Sequence, residues 1–185
     1  MRAVILSERV LADTDVLFAA AVAHVARKLG RVKPLDPASL PDDRAQKLAA
    51  LDAWAGSELD WRGELVRYYD DHIPLHLRPN PSLNAALRKL AATGVRIAWW
   101  SAGPEEAARI VIFHLGLGRR VEAVGIGASA DVAERLAVEL GAVAEEALVV
   151  SGDAAELAAA RERGLGAATP DELIALSIAT TAVAP

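Results

Sequence analysis

Short apolar runs alternate with amphipathic segments along most of this chain, and that alternation strongly restricts its possible folds. Each run is too short for a helix of its own and is bounded by polar or turn-forming residues. Strands separated by helices of this length lie parallel, because each helix returns the chain across the sheet in a right-handed crossover. The predicted strands are residues 3–6, 95–100, 121–126, 148–150 and 166–169.

The region between the first two predicted strands has a different pattern, with helical spacing throughout. Three prolines, Pro34, Pro37 and Pro41, interrupt it and predict a loop between helices. We therefore predict a Rossmann-like α/β core domain, residues 1–15 and 79–185, with a helical cap subdomain, residues 16–78, inserted after the first strand.

Composition limits the classes of function. The 185 residues carry a net charge of −5 without a long block of like charge, so nucleic acid is not expected as a partner. The absence of cysteine excludes disulfides and thiol chemistry. No run of about 18 uncharged apolar residues is present, so no membrane association is expected. We predict a cytoplasmic protein.

Ligands of doubly wound sheets bind beyond the carboxyl ends of the strands. Four turns of this chain are predicted to meet there, and each of them carries polar or flexible residues. They span residues 7–9, 101–103, 127–129 and 151–153. A functional site is therefore expected at this edge of the sheet.

Several fragments in fixed order carry a resemblance to a known family. They are RAVI (2–5), VLADTD (10–15), LRP (77–79), LAATGVRI (90–97), SAGPEEAAR (101–109), HLGL (114–117) and EEALVV (145–150). Their order and spacing resemble the haloacid dehalogenase-like hydrolase superfamily of the type with a helical cap after the first strand. The resemblance covers nearly the whole chain and implies that superfamily's fold.

The resemblance also implies an Asp-x-Asp pair after the first strand, as nucleophile and as general acid and base. Here Ser7-Glu8-Arg9 stands in its place, and the segment is one residue shorter. The nucleophile position holds Leu6 or Ser7 and the acid position Glu8 or Arg9, depending on where the gap falls. Ser7 and Glu8 are the candidate catalytic residues, although a serine nucleophile needs an adjacent base.

Ser101 matches the superfamily's serine or threonine that hydrogen-bonds the phosphate. Together with the backbone amides that follow it, Ser101 could hold an anion at the start of a helix. The candidate anion-binding residues are therefore Ser101, Ala102 and Gly103. The alternative is that Ser101 only caps the helix.

The remaining family positions concern a lysine and a magnesium ligand. No basic residue stands between Gly127 and Asp131, where the lysine is expected. Gly152 falls at the position of the metal-binding aspartate, which leaves Asp153 to cap the next helix. Glu8, Asp153 and Glu156 are the remaining candidates for a divalent ion. Mg²⁺ is expected only if some activity is retained.

These losses affect separate parts of one mechanism and suggest a catalytically inactive member, a pseudo-hydrolase that acts by ligand or protein binding. The alternative is an atypical hydrolase or phosphatase acting on a small phosphorylated metabolite. Expected partners are a small anion or phosphorylated metabolite, a second copy of the chain or another protein. A sensor with its ligand between core and cap is a further hypothesis.

Two other patterns involve ring side chains. His72 and His76 have a spacing that suits a metal site on a helix, but Pro74 between them argues against one continuous helix. Trp99 and Trp100 are neighbours on a predicted strand and should face opposite sides of the sheet. One indole is thus expected under a helix and the other beside the cleft.

Overall fold

A five-stranded parallel sheet forms the centre of the computed structural model, which describes residues 1–10, 14–127 and 129–181. The strand order is β3-β2-β1-β4-β5. The strands are β1 (Ala3–Ser7), β2 (Arg96–Ser101), β3 (Val121–Ile126), β4 (Ala147–Val150) and β5 (Gly166–Ala168). The predicted α/β class is confirmed. Residues 11–13, which carry part of the family resemblance, lie outside the described ranges.

Helices cover both faces of the sheet. They are α1 (Thr14–Leu29), α2 (Arg44–Ala55), α3 (Trp61–His76), α4 (Pro81–Ala92), α5 (Glu105–His114), α6 (Asp131–Glu139), α7 (Ala154–Glu162) and α8 (Pro170–Thr181). Helices α6 and α7 pack on one face, and α4, α5 and α8 pack on the other. Within the described ranges, no helix combines the length and apolarity that a bilayer crossing requires.

The central strand β1 sets the position of the site. All five of its residues are buried, and Leu6 lies in register with Trp99 of β2 and Val150 of β4. Strand β1 therefore ends between the carboxyl ends of two other parallel strands. Ser7, its last residue, pairs with Trp100 of β2.

The helices between β1 and α4 share a core with the sheet. Leu6 and Trp99 belong to the same buried cluster as Leu65 of α3 and Leu51 of α2. Burying one such side chain contributes about 1.5–3 kcal/mol. The insertion is thus packed against the face of the sheet by continuous apolar contact.

Helix α3 corrects one expectation from the sequence. It runs from Trp61 to His76 with Pro74 inside it, so the prediction that Pro74 breaks the helix is wrong. A proline costs most in a helix interior, where it removes a hydrogen bond and crowds the preceding turn. Pro74 lies in the last turn, and the amide of Leu77 still closes that turn on the carbonyl of Ile73 at 2.8 Å.

Candidate functional site

The carboxyl ends of the strands border a cleft of about 230 Å³ between the sheet and the start of α2. Ser7 ends β1, Ser101 ends β2, and Ser151 directly follows β4. All three serines are buried. The structure therefore brings the turns that the sequence singled out to one edge of the sheet.

The carboxylate of Glu8 accepts hydrogen bonds from two of the residues that were predicted to bind an anion. The Ser101 hydroxyl donates to Glu8 Oε2 at 2.6 Å, and the Ala102 amide donates to Oε1 at 3.1 Å. The amide of Gly103 does not reach the carboxylate and instead donates to Ser101 Oγ at 3.0 Å. A side chain of the protein itself thus engages Ser101 and Ala102.

Arg44, which no sequence motif singled out, is the cationic partner of Glu8. Its Nη1 lies 3.1 Å from Glu8 Oε1 and 3.5 Å from Asp15 Oδ1, and its Nη2 is 3.5 Å from the hydroxyl of Tyr69. The guanidinium carbon stands 4.3 Å from the centre of the Phe18 ring. Only 6% of the side chain is exposed. A buried ion pair therefore joins the turn after β1 to the inserted helices.

A local signal for Arg44 was available in the sequence. Arg44 is the first residue of α2, directly after the N-cap Asp43, whose carboxylate accepts from the amide of Gln46. A cation at that end opposes the helix dipole, which favours acidic side chains there. A lone arginine in this position suggests a carboxylate elsewhere in the fold, although the sequence does not say which one.

Burial dominates the ionisation of Tyr69. It raises the pKa of the hydroxyl well above its usual value, and Arg44 only partly opposes that rise. Tyr69 is therefore a neutral hydroxyl beside the guanidinium.

Ser7 donates its hydroxyl to Glu156 rather than to Asp153. The Ser7 Oγ to Glu156 Oε2 distance is 2.5 Å, and the Ser151 hydroxyl donates to the same oxygen at 2.7 Å. Ser7 Oγ in turn accepts from the amide of Arg9 at 3.1 Å. Glu156 is thus held by two hydroxyls that lie 149 and 5 residues away in the chain.

Burial raises the pKa of Glu156, although the two serine hydroxyls and Arg9 partly oppose that rise. Burial also acts to raise the pKa of Asp153, but there the amides of Glu156 and Ala155 and the guanidinium of Arg9 prevail, and the pKa is lowered. The neighbouring acids therefore differ in protonation behaviour, with Asp153 the more strongly ionised of the two.

Arg9 lies among the acids that were proposed for a divalent ion. Its Nη1 forms an ion pair with Asp153, and its Nε is 3.7 Å from Glu156 Oε1 and 4.0 Å from Asp15 Oδ1. Asp153 also caps α7, accepting from the amides of Ala155 and Glu156 at 2.7 and 3.2 Å. Both carboxylate oxygens of Asp153 therefore have partners.

These residues do not fit the Mg²⁺ ion that the resemblance implies. Gly152 offers no ligand, and a Cβ there would lie 2.7 Å from the Arg9 carbonyl oxygen, which accepts from the Gly152 amide at 2.9 Å. The carboxylate of Glu8 is held by Ser101 and Arg44, whereas Asp153 and Glu156 lie against Arg9. Over the ranges that the structure describes, no cluster of three or more His, Asp or Glu side chains could hold a metal ion.

The neighbouring tryptophans divide as the strand alternation predicted. Trp99 is fully buried in the cluster that includes the inserted helices. Trp100 packs on the opposite face, lines the cleft, and donates from Nε1 to the Gly127 carbonyl at 2.7 Å. Trp100 therefore forms part of one wall of the cleft.

Glu156→Gln should alter the pH dependence of stability. The raised pKa of Glu156 means that the wild type loses stability as pH rises from the ordinary glutamate value through the folded-state value. Glutamine removes this titration, so the variant should gain stability relative to wild type as the pH rises from about 4 toward neutral. Urea unfolding across this range measures it. The exposed control Glu139→Gln should follow the wild type, and a relative loss on raising the pH would contradict the expectation.

Comparison with known proteins agrees with this architecture. No family model matches the sequence. Enolase-phosphatase E1 from Gluconacetobacter diazotrophicus is 33% identical over 158 residues, covering 79% of this chain and 63% of that protein. Among solved structures, CbbY from Rhodobacter sphaeroides in complex with phosphate matches with a TM-score of 0.68 and 14% identity, over 91% of this chain and 85% of that one.

A haloacid dehalogenase-like family protein, SP0104 from Streptococcus pneumoniae, matches with a TM-score of 0.57 and 14% identity, over 90% of this chain and 83% of that one. The fold is that of the haloacid dehalogenase-like proteins. The enolase-phosphatase relative and the shared fold support this superfamily, which the sequence motifs predicted. It spans 63% of the length of its enolase-phosphatase relative.

Proposed function

We propose that this chain is a non-catalytic haloacid dehalogenase-like protein that acts by binding a ligand or another protein. The observation that carries the proposal is the position of Glu8, whose carboxylate occupies Ser101 and Ala102, the groups expected to hold a substrate anion. A negative group of the chain itself thus competes with any substrate phosphate.

Displacing Glu8 would be costly for a ligand. A carboxylate tethered beside its site has an effective concentration on the order of millimolar or above. Glu8 is also paired with the buried Arg44, and separating such a pair leaves an uncompensated charge in the interior. Binding of a phosphate monoester at Ser101 would have to offset both effects.

The acids proposed for a metal ion and the candidate nucleophile also have partners within the chain. Arg9 pairs with Asp153 and approaches Glu156, so a cation of the chain neutralises the acids that remain. Ser7 is buried, and its hydroxyl is already donated to Glu156. In the superfamily's mechanism the nucleophile, the acid that binds the metal ion and the lysine act as a unit. The absence of several of them is therefore expected to remove most of the catalytic rate.

A second candidate is an atypical phosphatase acting on a small phosphorylated metabolite. The name of the enolase-phosphatase relative and the phosphate in the CbbY complex favour it, as does the cleft of about 230 Å³. In this alternative, Ser7 Oγ attacks phosphorus while Glu156 takes its proton and returns it to the leaving alcohol oxygen. Water then hydrolyses the phosphoserine, releasing inorganic phosphate.

A panel of phosphate monoesters, assayed with and without Mg²⁺, distinguishes the two candidates. The proposal expects no turnover by the wild type above that of Ser7→Ala. Turnover that Ser7→Ala and Glu156→Gln abolish, while the exposed control Ser39→Ala keeps it, would overturn the proposal in favour of the phosphatase. Circular dichroism spectra establish that each variant is folded.

The proposal includes the organisation of the chain. We propose residues 1–15 and 79–185 as the core domain and residues 16–78 as the helical cap, supported by the helices α1 to α3 and the lack of any strand among the described residues between β1 and α4. A protein of this kind would act in the cytoplasm. Its partner would be a small anion or phosphorylated metabolite, a second copy, or another protein, and thermal-shift screening of phosphorylated metabolites would separate the first class from the others.

A further inference from the structure

Two histidines lie one turn apart near the end of α3. Because the helix continues through Pro74 to His76, His72 and His76 occupy positions i and i+4 of one helix. Residues with this spacing share a face, with Cβ atoms about 5–6 Å apart. Both side chains are partly exposed. The continuous helix therefore removes the objection that the sequence raised against a metal site here.

The imidazole of His72 is held in a defined orientation. Its ring stacks on that of Tyr68, with centroids 4.0 Å apart and planes inclined by 5°. Its Nδ1 lies 3.0 Å from the backbone carbonyl oxygen of Tyr68. A carbonyl oxygen only accepts hydrogen bonds, so Nδ1 is the donor, and in the neutral imidazole Nε2 is the nitrogen with the lone pair. Metal-binding histidines are commonly oriented by such a bond from the other ring nitrogen.

We propose that His72 and His76 form a binding site for a divalent transition metal of borderline softness, such as Cu²⁺, Ni²⁺ or Zn²⁺. Imidazole nitrogen suits these ions, whereas Mg²⁺ prefers oxygen. In the described part of the chain no third His, Asp or Glu side chain completes such a cluster. Water therefore fills the other coordination positions, and the metal exchanges with solvent.

The site is independent of the function proposed above, since it lies on the inserted helix α3 and not among the residues around Glu8 and Arg9. A metal joining His72 to His76 would brace the last turn of α3, where Pro74 cannot donate a backbone hydrogen bond. The next residue, Leu77, contacts α5 through a 3.1 Å hydrogen bond between its carbonyl oxygen and His114 Nε2. Metal binding would thus stabilise the folded state.

Calorimetric titration of the untagged full chain with Ni²⁺ tests the site. Alanine at His72 or at His76 should each weaken binding by about tenfold or more, since removal of either ligand leaves a single imidazole. His24→Ala is the matched control, because the His24 ring also lies against Tyr68, with centroids 5.0 Å apart. His24→Ala and His114→Ala should bind Ni²⁺ like the wild type.

A thermal-shift series with Ni²⁺ gives a second readout of the same variants. The increase in melting temperature should be present in the wild type and both controls and absent in the two variants of the pair. Equal Ni²⁺ affinity in wild type and His76→Ala would overturn the proposal. So would a loss of affinity in Glu156→Gln but not in His72→Ala, because that result would place the metal among the acids of the cleft.

Discussion

Arg44→Ala is expected to destabilise the protein by about 3–5 kcal/mol, the usual cost of breaking a buried ion pair by removing one partner. Arg44 is 6% exposed and faces the carboxylates of Glu8 and Asp15. Without the guanidinium, Glu8 would remain a buried charge whose hydrogen bonds, among the described residues, come from Ser101 and the Ala102 amide. The contact of Arg44 with the Phe18 ring would also be lost.

Urea unfolding of the variant and of a control measures this effect. Arg88→Ala is the matched control, because Arg88 is exposed on α4, and its change should stay within about 0.5 kcal/mol. The double variant Glu8→Gln with Arg44→Met should recover part of the loss, since neither charge then remains. A loss below about 1 kcal/mol for Arg44→Ala would contradict the assignment of a buried pair.

Leu6→Asp is expected to prevent stable folding. Leu6 is fully buried between Trp99 and Val150 of the neighbouring strands, so a carboxylate there would have no partner. An uncompensated buried charge costs about 3–5 kcal/mol, a large part of the stability of a small domain. Ser7→Asp should cost less, because position 7 lines the cleft, where the Arg9 amide can donate to the new carboxyl group and a proton can be shared with Glu156.

This pair of variants tests which residue stands at the site. The sequence alone allowed Leu6 or Ser7 at the nucleophile position, whereas in the structure the Ser7 side chain contacts the site and Leu6 lies in the apolar core. Circular dichroism and urea unfolding of the two variants provide the measurement. Equal stability of Leu6→Asp and Ser7→Asp would show that the end of β1 is oriented differently.

Much of the fold could be predicted from local patterns in the sequence. A buried parallel strand requires a short apolar run, and a helix on the sheet requires an apolar face at helical spacing, so both can be read over a few residues. Asp153 as the N-cap of α7 was predictable for the same reason, since a cap depends on the next three residues. Pro74 was misjudged because its cost depends on its distance from the helix end.

The pairing of side chains in the candidate site was harder to predict from the sequence. Ser7 and Glu156 are 149 residues apart, and Arg9 and Asp153 are 144 residues apart. Glu8 could have joined Asp153 and Glu156 at a cation, as the sequence suggested, but the structure turns it toward Ser101 and Arg44. No local spacing distinguishes these arrangements.

The sequence by itself determined the parallel α/β class, the run of helices after the first strand and the edge of the sheet where the candidate site lies. Those features follow from the periodic burial of apolar side chains, which acts over neighbouring residues. Only the tertiary structure decided that Glu8 engages the candidate anion-binding groups, that Arg9 lies against the remaining acids and that Arg44 is buried against Glu8. Such choices depend on which charges meet where water is excluded, and packing of distant segments settles that.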